Sequence, residues 1–244
     1  MNVIAGLHDV RLALEGDAGN LTEIWIDERR RDKRMNLITH LAEKRGVKLH
    51  RVDKQELERL AAGLRHQGVV ASCRTQAARQ ENTLAQLVQA CEHPPLVLIL
   101  DGIQDPHNLG ACLRSADGAG VDAVIAPADK ACGITPVVSK VAAGAAHSVP
   151  FFAVSNLSRS MEELKQLGLW IVGASDDGLE TLWQSELDGP CALVLGAEGK
   201  GMRPLTRKQC DFLVRIPMLG AVESLNVSVA TGVLLYEARR QRGI

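Results

Sequence analysis

From residue 96 onward the chain repeats one unit: a run of five or six mostly apolar residues, then a stretch with apolar residues three and four positions apart. The runs fall at residues 96–100, 121–126, 169–174, 192–196 and 212–216. Runs without polar alternation fit strands buried on both faces, and the helical periodicity between them supplies the cover. The pattern predicts an α/β fold with a parallel sheet between helices. Ligand sites in such folds gather beyond the carboxyl ends of the strands.

The turn after the last run carries the most information. Pro217 cannot donate to a ladder, so the strand stops there. Gly220 and its small neighbours allow a tight turn, and Ser224 and Asn226 have side chains that cap helices. Val227, Ala230, Val233, Leu234 and Ala238 then form an apolar helix face, which puts Glu237, Arg239 and Arg240 towards solvent or a partner. Ser224 and Asn226 present a hydroxyl and an amide beside the free amides of a helix start. That arrangement suits a polar reacting group, and it equally serves as a plain cap.

Two other strand ends are unusual. Residues 105–116 read DPHNLGACLRSA, with Asn108 at a helix start and Arg114 six residues on. Each has a purely structural alternative, an N-cap for Asn108 and a surface ion pair for Arg114. Residues 196–202 read GAEGKGM. This departs from the phosphate-binding G-x-x-x-x-G-K-[ST] pattern, because Val194 stands five positions before Gly199 and no Ser or Thr follows Lys200. It also departs from G-x-G-x-x-G, which argues against a dinucleotide-dependent oxidoreductase. The glycines let backbone approach a flat ligand, with Glu198 as an acceptor.

The remaining chain sets boundaries. Residues 3–70 predict a small α/β unit with helices at 8–14, 36–45 and 54–62 and strands at 23–26, 47–51 and 68–72. Polar residues follow it. The division expected is a small unit at 1–73, a linker at 74–84 and a larger unit at 85–244, with a first helix at residues 84–91. Residues 131–148 predict a loop and then a small-residue helix. With 244 residues and 46% hydrophobic content the chain buries a real core. Six cysteines without a C-x-x-C pair suggest neither a zinc site nor disulfides, so they are expected as reduced core residues. With no leader or long apolar run, a soluble, cytoplasmic protein without membrane contact is expected.

Charge is uneven. Residues 1–80 hold 15 Lys and Arg against 11 Asp and Glu, and residues 81–244 hold 13 against 18. A basic front fits a polyanion, and Arg29, Arg30, Arg31, Lys33 and Arg34 form its densest run, either a phosphate contact or a solvated surface. Only seven aromatic residues argue against a base-stacking platform.

Taken together, DPHNLGACLRSA, GAEGKGM and, at residues 216–230, IPMLGAVESLNVSVA resemble the three signature motifs of the SpoU branch of the SPOUT methyltransferases, in order and spacing. Residues 1 to about 75, with GLHDV at 6–10 and HQGVVA at 66–71, resemble that family's ribosomal-protein-like substrate-binding domain. The resemblance implies a catalytic domain tied in a deep trefoil knot, a homodimer with the knots at its interface, S-adenosyl-L-methionine as methyl donor, and no metal. It implies methylation of a ribose 2'-hydroxyl on a guanosine of 23S ribosomal RNA, in the peptidyl-transferase-centre loop. Carried over by position, Gly196, Ile216, Met218 and Leu225 would contact the cofactor. Asn108, Arg114, Glu198, Ser224 and Asn226 would form the polar site. His147 stands where the family usually has an acidic residue. The alternatives are a 2'-O-methyltransferase for another rRNA or tRNA nucleotide and an RNA-binding protein on this fold without activity.

Overall fold

The structure, a computed structural model, describes residues 2–15, 21–73 and 78–243. The chain divides into two compact units, Met1–Ala77 with Ala143–Ser148, and Ala78–Ala142 with Val149–Ile244.

In the first unit β1 (Asn2–Ala5), α1 (Leu7–Glu15), β2 (Leu21–Asp27), α2 (Lys33–Arg45), β3 (Lys48–Val52), α3 (Lys54–Ala61) and β4 (Val69–Cys73) follow in order. The sheet runs β1-β4-β2-β3. Only β2 and β3 are parallel. β1, too short to show a pattern of its own in the sequence, gains its place by pairing Val3 with Ser72 and Ile4 with Ala71. Helix α2 starts three residues before the expected position because Asp32 caps it, accepting from the Arg34 and Met35 amides, and Gly46 ends it at φ 66°. Ile24, Ile26, Met35, Ile38, Val69 and Ala71 form the core.

The second unit contains α4 (Leu84–Gln89), β5 (Leu96–Asp101), α5 (Pro106–Gly118), β6 (Ala123–Pro127) and α6 (Pro136–Val141). After α7 (Ala145–Ser148), which groups with the first unit, come β7 (Phe151–Val154), α8 (Leu157–Gln166), β8 (Trp170–Ala174), β9 (Glu180–Thr181), β10 (Cys191–Gly196), α9 (Pro204–Gln209), β11 (Phe212–Arg215) and α10 (Val227–Gln241). Its seven strands pair in parallel in the order β7-β6-β5-β10-β8-β11-β9. All five runs expected as strands are there; the short edge strands β7 and β9 are additional. One face of the sheet, with Val97, Ile99, Ile125 and Val194, packs on α4 and α8. On the other face α10 packs against α5 and β10. Register pairs Gly196 with Asp101 and Val194 with Gly173, so the carboxyl ends of β5, β8 and β10 lie side by side.

Several expectations change against this frame. Residues 74–77 of the expected linker lie outside the described residues. The rest of it is docked on the second unit: the Arg79 amide donates to the Phe151 carbonyl at 2.8 Å, and the Glu81 carboxylate takes the amide and hydroxyl of Ser155. The helix expected near 131–148 is two short ones, because Ala143 and Gly144 turn left-handed at φ 51° and 95°. Glu237 faces inward, contrary to the expected helix face. It is 7% exposed and accepts from Arg240 and Gln241, which satisfies its charge. All six cysteines are free thiols; Cys73, Cys112 and Cys191 are buried, whereas Cys91, Cys132 and Cys210 are only half-buried. Burial pushes the Cys73 thiol up to about 12 and the Cys112 thiol up to about 11, which leaves both unreactive. His147 lies in the first unit, where burial pushes its imidazole down against the opposing pull of Asp9. Among the described residues no helix is long and apolar enough to cross a membrane.

Candidate active site

β5 delivers the first part of the site. It ends on Asp101, whose buried carboxylate accepts from the Arg203 amide at 2.8 Å and pairs with its guanidinium at 2.6 Å. Asp105 then caps α5 by accepting from the His107 amide, and Pro106 occupies the first helical position. Asn108 is therefore not a cap, and its amide is available for longer-range contacts.

The second part is the turn after β10. A Cβ on Gly196 would overlap the Gly201 carbonyl carbon and the Met202 nitrogen, so only glycine fits. Ala197 and Gly201 exchange backbone bonds at 3.1 and 2.8 Å, and Gly199 and Gly201 take φ of 71° and 64°. That closed turn holds Glu198 near its tip.

α10 supplies the third. Asn226 is its N-cap, with Oδ1 accepting from the Ser228 amide at 2.9 Å and hydroxyl at 2.6 Å. Its Nδ2 donates to Asn108 Oδ1 at 3.1 Å and Glu198 Oε2 at 3.4 Å, while Asn108 Nδ2 donates to the same Glu198 oxygen at 3.2 Å. Side chains from three strand ends thus form one closed hydrogen-bonded triangle. Asn226 uses both amide hydrogens and accepts twice, so it is saturated; no bond is made by Glu198 Oε1 among the described residues.

Two cavities meet at Glu198. One, of about 420 Å³, is lined by Gly196, Glu198, Ile216, Met218, Ser224 and Leu225. The loop from Met218 to Leu225, of which Met218, Glu223, Ser224 and Leu225 line this cavity, makes no backbone–backbone hydrogen bond among the described residues, so its amides and carbonyls are open to a ligand. The other, of about 480 Å³, is lined by Asn108, Glu198, Asp101, Arg203 and Lys130 among others. Arg114 joins neither. It is exposed on α5, six residues beyond Asn108 and so on a different face of the helix. The Asp101–Arg203 pair and Lys130 were not anticipated. Asp101 could have been, from its place at a strand end; Arg203 and Lys130 lie in irregular chain with no local signal. Among the described residues no group of three His, Cys, Asp or Glu side chains is arranged to hold a metal.

The chain matches the SpoU rRNA methylase family over residues 95–236 and the RNA 2'-O ribose methyltransferase substrate-binding family over residues 3–78. It is 50% identical to the 23S rRNA (guanosine-2'-O-)-methyltransferase RlmB of Ralstonia nicotianae, over 99% of this chain and 96% of that protein. A crystal structure of an RNA 2'-O ribose methyltransferase superposes with a TM-score of 0.76 at 29% identity, covering 99% of this chain and 89% of the other. The SpoU methyltransferase AviRb of Streptomyces viridochromogenes shares the fold, with a TM-score of 0.81 at 24% identity over 99% of this chain and 89% of its own. Three strand-end motifs that converge on one carboxylate, on a parallel sheet matched along the whole chain, lead to one assignment: the chain belongs to the SpoU rRNA methylase family.

Proposed function

We propose that the protein transfers a methyl group from S-adenosyl-L-methionine to the ribose 2'-hydroxyl of a guanosine in 23S ribosomal RNA, within the peptidyl-transferase-centre loop. The observation that carries this is the Asn108–Glu198–Asn226 triangle between the two cavities. The cavity of about 420 Å³ fits the cofactor. Its volume lies in the range of small-molecule sites, and unpaired main chain beside Ile216, Met218 and Leu225 suits a ligand bound through backbone groups. Bound there, the cofactor supplies a methyl group already activated on sulfonium.

The protein then has to orient the hydroxyl and take up its proton. Asn226, with every donor used, acts by holding Asn108 and Glu198 in place. Glu198 Oε1 and the Ser224 hydroxyl are left to meet the 2'-hydroxyl, with Oε1 as acceptor for its hydrogen. Arg114 is assigned to a neighbouring phosphate. A guanidinium stays protonated up to pH ~12, so it serves charge rather than proton transfer.

Because Arg114 lies outside both cavities, it acts from a second copy of the chain. This supports a homodimer, as do Val229 and Tyr236 of α10, 51% and 57% exposed on the helix that packs against α5. The finer fold belongs to the same proposal: a deep trefoil knot, supported by the return of α10 to α5 and β10 after the chain leaves β11 two strands away, and a ribosomal-protein-like front domain. So do a cytoplasmic location, metal-free chemistry, and a division into an RNA-binding domain at 1–73, a linker at 74–84 and a catalytic domain at 85–244.

Mapping 2'-O-methyl groups in ribosomal RNA from a deletion strain tests the activity; an unchanged map sinks it and leaves a binding protein. Replacing Arg114 by Lys tests that assignment. Near-normal turnover with weaker RNA binding is expected, and lost turnover with intact binding would overturn it.

A further inference from the structure

The cavity of about 480 Å³ that adjoins Glu198 has no part in the methyl transfer described above. Ile103, Met202, Pro204 and Val227 give it apolar lining, and the pair of Asp101 with Arg203 gives it a polar part. That pair is closed on itself. Buried Asp101 accepts from the Arg203 amide on one oxygen and from its guanidinium on the other.

Outside the turn that holds Glu198, two charged groups in the lining are uncommitted. Asp105 uses Oδ1 to cap α5, and its Oδ2 makes no hydrogen bond among the described residues. Lys130 is exposed and makes no ion pair among the described residues. The loop that carries Lys130 is fastened to the turn that carries Asp105: the Cys132 amide donates to the Ile103 carbonyl at 2.7 Å, and the Gln104 side chain donates to the Lys130 carbonyl at 3.5 Å.

We infer that this cavity takes the base of the target nucleotide, and that Asp105 and Lys130 recognise it as guanine. In a ribose the carbon bearing the 2'-hydroxyl is bonded to the carbon bearing the base. A sugar held at Glu198 with its hydroxyl towards the cofactor therefore has its base close by, and the second cavity is the space next to that carboxylate. Guanine is alone among the RNA bases in presenting two adjacent donors, N1–H and the 2-amino group, beside an acceptor, O6. A carboxylate takes the donors and an ammonium takes O6. Adenine and cytosine would each turn a ring-nitrogen lone pair to the carboxylate, and uracil would flank its one donor with carbonyl oxygens. Apolar lining suits the faces of a flat ring, and loop nucleotides are commonly read in this way, turned out and gripped by the base edge. This rests on the proposal that a guanosine is methylated, and adds to it the groups that tell guanosine from other nucleotides.

The test uses the full-length protein, a 23S ribosomal RNA fragment containing the guanosine that the wild type methylates, and the same fragment with inosine at that position. Inosine keeps N1–H and O6 and lacks only the 2-amino group. Wild-type kcat/KM is expected to fall about tenfold on the inosine RNA. Asp105→Asn keeps the cap, because Asn and Asp cap helices equally well, but puts an amide N–H where Oδ2 was. Its kcat/KM is expected to be about thirtyfold below wild type on the guanosine RNA and within about twofold of that value on the inosine RNA. Lys130→Met lowers both rates by the same factor, about tenfold, because O6 is present in both. S-adenosylmethionine affinity and melting temperature stay as in the wild type for each variant.

Equal wild-type kcat/KM on the two RNAs would overturn the inference, and that measurement needs no variant. So would an inosine penalty in Asp105→Asn as large as that of the wild type, or unchanged kcat/KM in Lys130→Met. If the wild type methylates no guanosine, the underlying proposal fails; if it methylates guanosine and inosine alike, only this inference does.

Discussion

The two chain segments that contribute to the lining of the proposed cofactor cavity are built on opposite principles. The turn from Gly196 to Met202 is closed by its own backbone bonds and depends on glycines at 196, 199 and 201. The loop from Met218 to Leu225 makes no backbone–backbone bond among the described residues, and Leu219 and Val222 are 98% and 64% exposed. A locked turn fixes an acceptor to within the fraction of an ångström that proton transfer and alignment demand. An unpaired loop gives up that precision and keeps its amides free for a ligand. The contrast predicts a rigid wall that holds Glu198 and an adaptable wall that completes itself on binding.

Gly196→Ala would break that contrast most directly. The added methyl overlaps backbone atoms of Gly201 and Met202, which cannot swing aside as a side chain could. The turn must open, Glu198 moves, and its bonds to Asn108 and Asn226 are lost. Methyl transfer is expected to fall by about a hundredfold or more, with a stability loss of about 1–3 kcal/mol. Single-turnover methylation and chemical denaturation measure the two. Near-normal activity would show that the turn is not the rigid wall.

Glu198→Gln keeps the shape and removes the charge. Its Oε1 can still accept, but Oε2 or its amide replacement no longer receives two donors as a carboxylate does. Turnover is expected to drop about a hundredfold, with S-adenosylmethionine affinity within about threefold of wild type. A large loss of cofactor affinity with turnover preserved would move Glu198 from the chemistry to the cofactor wall.

How much of this could be read from the chain depends on range. The five expected strands were visible because each sits in a mostly apolar run of five or six residues, and the cap at Asn226 because capping is decided within three residues. β1 and β9 are four and two residues long and owe their place to pairing, and β7 is an apolar run of only four residues behind Pro150, too short to stand out. The motif residues were legible one by one, but not the triangle. Whether Asn108 caps α5 or reaches Glu198 turns on Asp105 taking the cap, and whether Asn226 meets substrate or neighbours turns on a contact 118 residues away. Glu237 was misread for the same reason. Periodicity put it on the solvent face, and Arg240, Gln241 and the Leu187 region that Gln241 binds made its burial tolerable.

Glu237 also tests how firmly the adaptable loop is anchored, since that loop runs straight into α10. The Arg240 guanidinium, opposed by burial and aided by Gln241, holds its carboxyl below the usual carboxylate value of 4.5. A group lowered in the folded state stabilises it above the unfolded value and loses that contribution as pH falls through the folded one. Glu237→Gln is expected to cost about 1 kcal/mol at neutral pH and to differ less from wild type as the pH drops below 4.5. Thermal unfolding at a series of pH values reads this. A gap that stays constant into acid would mean that the ion pair adds nothing and that packing alone pins the helix.

The smallest effect expected is at Gly220, and its smallness is the point. The sequence suggests a glycine needed for a tight turn, yet Gly220 is absent from the positions with left-handed φ, and a Cβ there would meet nothing within 4 Å. Gly220→Ala should therefore leave stability within about 0.5 kcal/mol of wild type, or raise it slightly by narrowing the unfolded ensemble. Turnover should be unchanged. S-adenosylmethionine affinity measured by calorimetry should move by no more than about twofold, with a less unfavourable binding entropy because the stiffer loop has less freedom to lose. Paired with Gly196→Ala, the same added methyl is then close to silent in the loop and disabling in the turn. If Gly220→Ala instead weakens cofactor binding tenfold or more, the loop is as tightly specified as the turn, and the division between a fixed wall and an adaptable one has to be abandoned.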